Sequence, residues 1–205
     1  MLAILVMAPL GSNLDRLVLS HQSSATQLAL YALAVQLFQP VLSVVGVLQQ
    51  PIWADFAAKR ASPSAMSHLH LRSLTALLAL GGFAVGGLMM ALVPLVSGIL
   101  SGQQIIVPWG LASLLALSLA IGAAYVPASS YLTTDDGLRR QAWIVAGALV
   151  GNLALTVLLA PRLGATGPAI GTVCGGAVAL IATLSLANRE SRYADLQRVP
   201  HEATV

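Results

Sequence analysis

The sequence predicts an all-α, polytopic membrane protein, and two properties of its composition lead to that prediction. Of its 205 residues, 57% are hydrophobic and only 8% are charged, whereas about 25% of the residues in a typical soluble domain are charged. The apolar residues also fall in blocks close to the roughly 20 residues that a helix needs to cross a bilayer core. We therefore expect a bundle of transmembrane helices.

Six apolar blocks reach this length. They predict membrane spans at about 2–20, 28–52, 71–93, 106–130, 141–160 and 167–188. The remaining segment, 189–205, is polar and is expected to form a loose cytoplasmic tail. No connection is long enough to hold a soluble domain, and no Gly-x-x-x-x-Gly-Lys-Ser/Thr loop occurs. Nucleotide hydrolysis therefore has no place in this chain. The predicted outer loops are also short and nearly uncharged and carry no paired carboxylates for general acid–base chemistry, so the chain is not expected to be an enzyme.

The basic residues predict the orientation in the membrane. Of the ten Lys and Arg residues, eight fall on one side of the six-span arrangement, and only Arg16 and Arg162 fall on the other. Because cytoplasmic loops carry the excess of basic residues, both termini are predicted to be cytoplasmic. The net charge of +3 is spread along the chain, so no nucleic-acid partner is expected.

The second span carries a polar stripe at helical spacing. Its members recur every three or four residues and share an arc of about 80°. They are Gln36, Gln39, Ser43, Gly46 and Gln50. Amides donate and accept hydrogen bonds without a charge, which suits water and sugar hydroxyls, so the stripe is expected to line a cavity. Hydrogen bonding between helices is the alternative. Tyr125, in the fourth span, is expected either to face the same cavity or to bond to a neighbouring helix.

Two charged residues lie near the end of the first span. Asp15 and Arg16 are ionisable groups within an apolar block, where charge is costly unless it faces a wet cavity or a partner. They are therefore candidate cavity residues. The alternative is that they mark the helix end at the lipid headgroups, with Arg16 snorkelling outward.

Glycines at four-residue spacing predict close packing between the last two spans. Gly147 and Gly151 repeat on the fifth span, and Gly167, Gly171 and Gly175 repeat on the sixth. Such small-residue stripes let helix backbones touch in lipid. We expect Gly151 and Gly175 to lie at the same depth and to face each other.

The one cysteine and the two neighbouring histidines predict neither a metal site nor a bound cofactor. The one cysteine, Cys174, is expected to be a small, buried packing residue of the last span. His68 and His70 are two residues apart, which does not place both on one helix face, and they are expected to be solvated.

Two segments resemble a known family. Segment 152–172 has an Asn-containing helix ending in Pro161, a Gly-x-x-Gly turn from Gly164 to Gly167, and a helix rich in small residues. It resembles the last hairpin of polysaccharide flippases in the multidrug/oligosaccharidyl-lipid/polysaccharide exporter superfamily. The pair Asp15-Arg16, followed after a short polar gap by Tyr31-Ala32, is similar to the start of the second six-helix bundle in the same proteins. The whole chain thus resembles one lobe of a MATE-like transporter.

The resemblance implies a function. It implies that the chain flips a lipid-linked oligosaccharide on a polyprenyl diphosphate to the outer leaflet of a bacterial inner membrane, for cell-surface polysaccharide synthesis. Arg16 would then attract a phosphate or an acidic sugar, and Asp15 would hold Arg16 or bind a coupling cation. A drug or cation exporter lobe of the same superfamily and a non-transporting accessory subunit remain alternatives.

The chain departs from this family in size. The flippases have two six-helix bundles with the cavity between them, whereas this sequence predicts one bundle. The abrupt apolar start at Met1 also suggests that upstream sequence is missing. The second lobe is expected to come from a separate chain or from a second copy related by a twofold axis; a truncated or inactive remnant is the other interpretation.

Overall fold

The structure is a computed structural model that describes residues 13–61 and 68–202. Within those ranges it is all-helical and contains six helices. The first, α1, is described over residues 13–22. The others are α2 (Ala25–Ala61), α3 (His68–Leu100), α4 (Trp109–Tyr131), α5 (Asp135–Leu163) and α6 (Thr166–Glu202).

Five helices, α2 to α6, are long and apolar enough to cross a membrane, which indicates a membrane protein. They correspond to the second to sixth predicted spans. Most of the first predicted span, 2–20, lies outside the described residues. The helices also extend beyond the spans: α2 has 37 residues, or about 55 Å at 1.5 Å per residue, against a hydrocarbon core of about 30 Å.

The described part of the predicted tail, residues 189–202, is helical rather than loose. Helix α6 continues without interruption to Glu202. A polar sequence lacks the apolar face that a buried helix needs, but it does not prevent the backbone of a long helix from continuing into water. Once a helix is nucleated, each added residue gains one backbone hydrogen bond.

Connections alternate between two ends of the bundle. We call one the turn end; it holds the α1–α2 turn at 23–24, the α3–α4 loop at 101–108 and the α5–α6 turn at 164–165. The opposite end holds the α4–α5 connection and the later part of α6. We call it the basic end, because the basic side chains described there are Lys59, Arg72, Arg139, Arg140 and Arg189.

Different contacts hold the helices together at the two ends. At the turn end, the Gln27 side-chain oxygen accepts a hydrogen bond of 2.9 Å from the Ala165 backbone N–H. Gly164 beside it has φ 55° and ψ −130°, a backbone region that is essentially open to glycine alone. At the basic end, the buried Phe56 ring packs edge-on against the Tyr131 ring, with centroids 5.8 Å apart.

Glycines bring α3 and α4 together. A Cβ added at Gly82 would lie 2.9 Å from the Ala120 Cα, and one at Gly86 would lie 2.8 Å from the Ala116 carbonyl oxygen. Both distances are shorter than a van der Waals contact, so neither position has room for a side chain. The four-residue spacing of Gly82 and Gly86 on α3 therefore serves helix packing.

The contact between α5 and α6 uses only one of the two predicted glycine stripes. Gly167, Gly171 and Gly175 of α6 lie against α5, but they meet Ala160, Asn152 and Ala148 there. Gly147 and Gly151 lie on an exposed side of α5, with no atom within 4 Å of an added Cβ. The expectation that Gly151 faces Gly175 is therefore wrong, because α5 is rotated so that its Ala148 and Asn152 side is inward.

Two further expectations about side-chain environment are corrected. Cys174 is exposed on α6 rather than buried. His70 is not simply solvated, because its Nε2 lies 2.9 Å from Lys59 Nζ and 3.3 Å from Asp55 Oδ2. His68 begins α3, and its side chain lies outside the described set.

Candidate functional site

A cavity of about 300 Å³ lies among helices α1, α2, α4, α5 and α6. Much of its wall is aliphatic, with Val35, Leu42, Leu115 and Leu149 among the lining residues. Its polar lining residues come from all five helices. They are Asp15, Tyr31, Gln39, Ser118, Asn152 and Thr172.

Asp15 is the acidic group of this cavity, and it is 2% exposed. Its carboxylate accepts hydrogen bonds from Thr156 Oγ1 at 3.0 Å and from Tyr31 Oη at 3.2 Å. Thr172 Oγ1 is a longer donor at 3.5 Å. These donors lie on α5, α2 and α6, so one carboxylate connects α1 to three other helices. A buried carboxylate requires such partners, because burial without them is costly.

The depth of this cluster follows from the chain geometry. Asp15 precedes the α1–α2 turn by eight residues, and Thr156 precedes Gly164 by eight residues. At 1.5 Å per residue, both groups lie about 12 Å inside the turn end. Asp15 therefore lies within the bundle rather than at the end of α1.

Arg16 forms no ion pair with Asp15 in the ranges that the structure describes, and the Arg16 Nε atom is buried without a hydrogen-bond partner there. Adjacent residues on a helix point about 100° apart, which explains how one side chain faces the cavity and the next does not. The idea that Asp15 holds Arg16 is therefore not supported by these contacts.

The polar stripe of α2 only partly meets the cavity. All five residues of the stripe are exposed, and Gln39 is the one that also lines the cavity. Ser43 Oγ donates to the Gln39 carbonyl oxygen at 3.0 Å, one turn earlier. The amides of Gln36, Gln39 and Gln50 have no side-chain hydrogen bond to another described residue. They do not join helices within this bundle.

Tyr125 belongs to a different place. Its hydroxyl accepts a hydrogen bond of 2.7 Å from Gln141 Nε2, which joins α4 to the start of α5. Tyr125 does not line the cavity. Of its two predicted roles, the bond to a neighbouring helix is the one found.

Five polar groups of the cavity or its carboxylate were not predicted from the sequence. They are Tyr31, Ser118, Asn152, Thr156 and Thr172. A signal existed for two of them: Asn152 and Thr156 are four residues apart in an apolar span and therefore share a face. Thr156 Oγ1 lies 3.4 Å from the Asn152 side-chain oxygen, beside the α6 glycines.

The cavity provides carboxylate, hydroxyl and amide oxygens within a hydrophobic bundle. Hard cations prefer oxygen ligands, and an intramembrane carboxyl is also a proton acceptor. Across the described ranges, no three His, Cys, Asp or Glu residues cluster as they would around a metal ion. The arrangement therefore suits a reversibly bound cation or proton better than a resident transition metal. No family model, curated protein or solved structure matches the chain, so any assignment of function depends on this geometry and on the residues themselves.

Proposed function

We propose that this chain forms one lobe of a transporter that moves a lipid-linked oligosaccharide across a bacterial inner membrane for cell-surface polysaccharide synthesis. The observation that carries the proposal is the exposed amide stripe of α2. Three glutamines on one side of a membrane-spanning helix have no partner among the described residues. In hydrocarbon each amide would lose its hydrogen bonds to water, which costs several kcal/mol.

The stripe suits a glycan because of its chemistry. Sugar hydroxyls both donate and accept hydrogen bonds, and a glutamine side chain offers two N–H donors and one carbonyl acceptor. Neutral amides also allow the glycan to leave, because they do not hold it by charge. A wet face along α2 would therefore let a headgroup cross without losing all its hydrogen bonds.

The cavity around Asp15 supplies an energy-coupling role in this proposal. Its carboxylate, with hydroxyls from α2, α5 and α6, would bind a cation or a proton and change how these helices hold α1. Arg16, adjacent in sequence, has a buried Nε atom without a partner in the described chain. Its guanidinium would meet the diphosphate or an acidic sugar.

A second lobe completes the proposal. The face that carries Gln36, Ser43 and Gln50 is exposed in a single bundle, and a similar bundle placed opposite would enclose a polar cleft. That lobe would be a separate chain or a second copy related by a twofold axis along the membrane normal. Both termini would then lie in the cytoplasm, as the basic end predicts.

One observation favours a rival within transport. Asp15 gives the cavity a carboxylate, as a drug or cation exporter would need for a cationic substrate. The amide stripe argues for the glycan, because a stripe of neutral amides adds little to binding a cation. A non-transporting accessory subunit would need packing surfaces alone and would leave the amides unexplained.

The test changes the stripe in cells that naturally make the chain. The triple variant Gln36→Leu, Gln39→Leu, Gln50→Leu should reduce surface polysaccharide, measured by labelling intact cells, to about a tenth or less. The matched control replaces the same three residues by Asn, which keeps the amides and should retain most of the export. Both variants must reach the membrane in wild-type amounts.

Three outcomes would contradict the proposal. Full export by the leucine variant would show that the stripe does not line the pathway. Deletion that sensitises cells to cationic dyes and leaves surface glycan unchanged would favour the exporter. Deletion without any transport defect, together with co-purification of a partner, would favour the accessory subunit.

A further inference from the structure

A second groove lies at the basic end, on the outer surface between α5 and α6. It has a volume of about 450 Å³ and is lined by two arginines, Arg140 and Arg189, together with Trp143 and Ser185. The rest of its lining is aliphatic and includes Ile144 and Leu186. It shares no lining residue with the cavity around Asp15.

The groove has an excess of positive charge. Arg140 Nη1 lies 3.5 Å from Glu190 Oε1, and this ion pair is well exposed, with the Arg140 side chain 60% accessible. No acid in the described ranges pairs with Arg189. Two cations therefore face one carboxylate, and an exposed ion pair of this length is easily exchanged for another anion.

Polarity in the groove changes with depth. Arg140 lies near the start of α5 and Arg189 lies toward the end of α6, so both are at the basic end. Trp143 and Ile144 follow one turn deeper on α5, and Leu186 lies one turn deeper on α6. Trp143 is 74% exposed, and tryptophan favours the boundary between headgroups and hydrocarbon.

We propose that this groove binds an anionic glycerophospholipid. Its phosphate would lie between the two arginines, and one acyl chain would lie along Trp143 and the aliphatic residues below. Arginine forms strong, charge-assisted hydrogen bonds to phosphate, and basic pockets between transmembrane helices bind anionic headgroups. A zwitterionic lipid would bring its own cation close to the arginines. The groove should therefore select lipids of net negative charge, whether or not the chain is a glycan transporter.

The chain contains a suitable reporter for the test. Replacing two of its three tryptophans, Trp53→Phe and Trp109→Phe, leaves Trp143 as the sole indole. The protein is reconstituted in phosphatidylcholine vesicles with 5 mol% of a lipid brominated on its acyl chains, which quenches nearby tryptophan fluorescence. The brominated lipid is phosphatidylglycerol in one series and phosphatidylcholine in the other.

Phosphatidylglycerol should be about fivefold enriched at Trp143, since Glu190 offsets one of the two arginines and the remaining basic residue contributes about 1 kcal/mol toward an anionic lipid. The double variant Arg140→Gln, Arg189→Gln should abolish this preference. The control Arg162→Gln removes an exposed arginine at the turn end and should keep the preference.

Equal quenching by the two lipids in the protein with both arginines would overturn the proposal, and this comparison does not depend on the folding of any arginine variant. A preference that survives in the double variant would also overturn it. So would displacement of the brominated lipid by millimolar inorganic phosphate, because the groove would then recognise a free anion.

Discussion

Changing Gly167 to Ala is expected to separate α5 from α6, whereas the same change at Gly147 is expected to be harmless. An added Cβ at Gly167 would lie 2.8 Å from the Ala160 backbone nitrogen and 2.9 Å from the Leu159 carbonyl carbon. These atoms belong to the helix backbone and cannot rotate away. At Gly147, no atom lies within 4 Å of the added Cβ.

The magnitude follows from these distances. A comfortable contact with carbon is about 3.5–4.0 Å, so the hairpin must open by roughly 0.7 Å at Gly167. A gap of that size forfeits a quarter to a half of the attraction between the atoms around it. Gly167→Ala should therefore lower the free energy of unfolding by about 1–3 kcal/mol, the usual range for overpacking. Gly147→Ala should leave it unchanged or raise it by up to about 1 kcal/mol, because Ala favours helix.

The assay is reversible unfolding of the purified protein in a mild detergent titrated with sodium dodecyl sulfate, followed by circular dichroism. The two variants carry the same chemical change on the same hairpin, so differences in detergent binding largely cancel. Equal midpoints for Gly167→Ala and the wild type would refute the packing argument. Equal destabilisation at Gly147 would refute the exposed orientation of that side of α5.

Two further pairs of substitutions, each with a buried position and an exposed control, test the buried contacts by the same titration. Thr156→Val removes the 3.0 Å hydrogen bond to Asp15 and should lower the free energy of unfolding by about 1–3 kcal/mol, because a buried acceptor loses a donor. In its control, Thr166→Val, the lost hydroxyl is exposed and bonds within its own turn, so the free energy of unfolding should fall by less than about 0.5 kcal/mol. Phe56→Ala, at a fully buried ring, should cost about 3–5 kcal/mol, whereas Phe83→Ala, at a ring 57% exposed, should cost about 1 kcal/mol or less. Similar costs within either pair would contradict the burial pattern.

Helix positions were predictable because apolar length is a strong signal, but helix ends were not. The fifth span was predicted to begin at 141, whereas α5 begins at Asp135. Thr134 caps it, accepting a hydrogen bond from the Gly137 backbone N–H at 3.2 Å. The hydrocarbon thickness determines how long the apolar part must be, while caps and turns determine where the helix ends.

The orientation of α5 was not predictable from spacing alone. Gly147 and Gly151 form one stripe, and Ala148 with Asn152 forms another about 100° away. The glycines of α6 permit close approach to either stripe. Thr156 lies on the Ala148 and Asn152 side of α5 and contacts Asp15, 141 residues away in sequence. A partner this distant leaves no local trace in the sequence.

Some residues of the candidate site were predictable from the sequence and others were not. Asp15 and the glutamine stripe were found because ionisable and amide groups are rare in apolar spans. Thr156 and Thr172 were missed because threonine hydroxyls in membrane helices commonly bond to their own backbone. Tyr31 was missed because its sequence neighbours do not show which helix its hydroxyl reaches. Only the fold shows that these three donate to one carboxylate.

Asp15 and the α2 stripe require different surroundings outside the bundle. The Asp15 carboxylate accepts its hydrogen bonds from side chains inside the bundle, so it is stable even where the outside of the bundle faces hydrocarbon. The three glutamines have no described partner, so they stabilise the protein only where water, a glycan or another polypeptide meets that face. If it faced lipid, the loss of their hydrogen bonds to water would cost several kcal/mol for each amide, comparable to the whole stability of a typical domain. The amide face of α2 is therefore where the second lobe and the polar pathway of the proposed transporter belong.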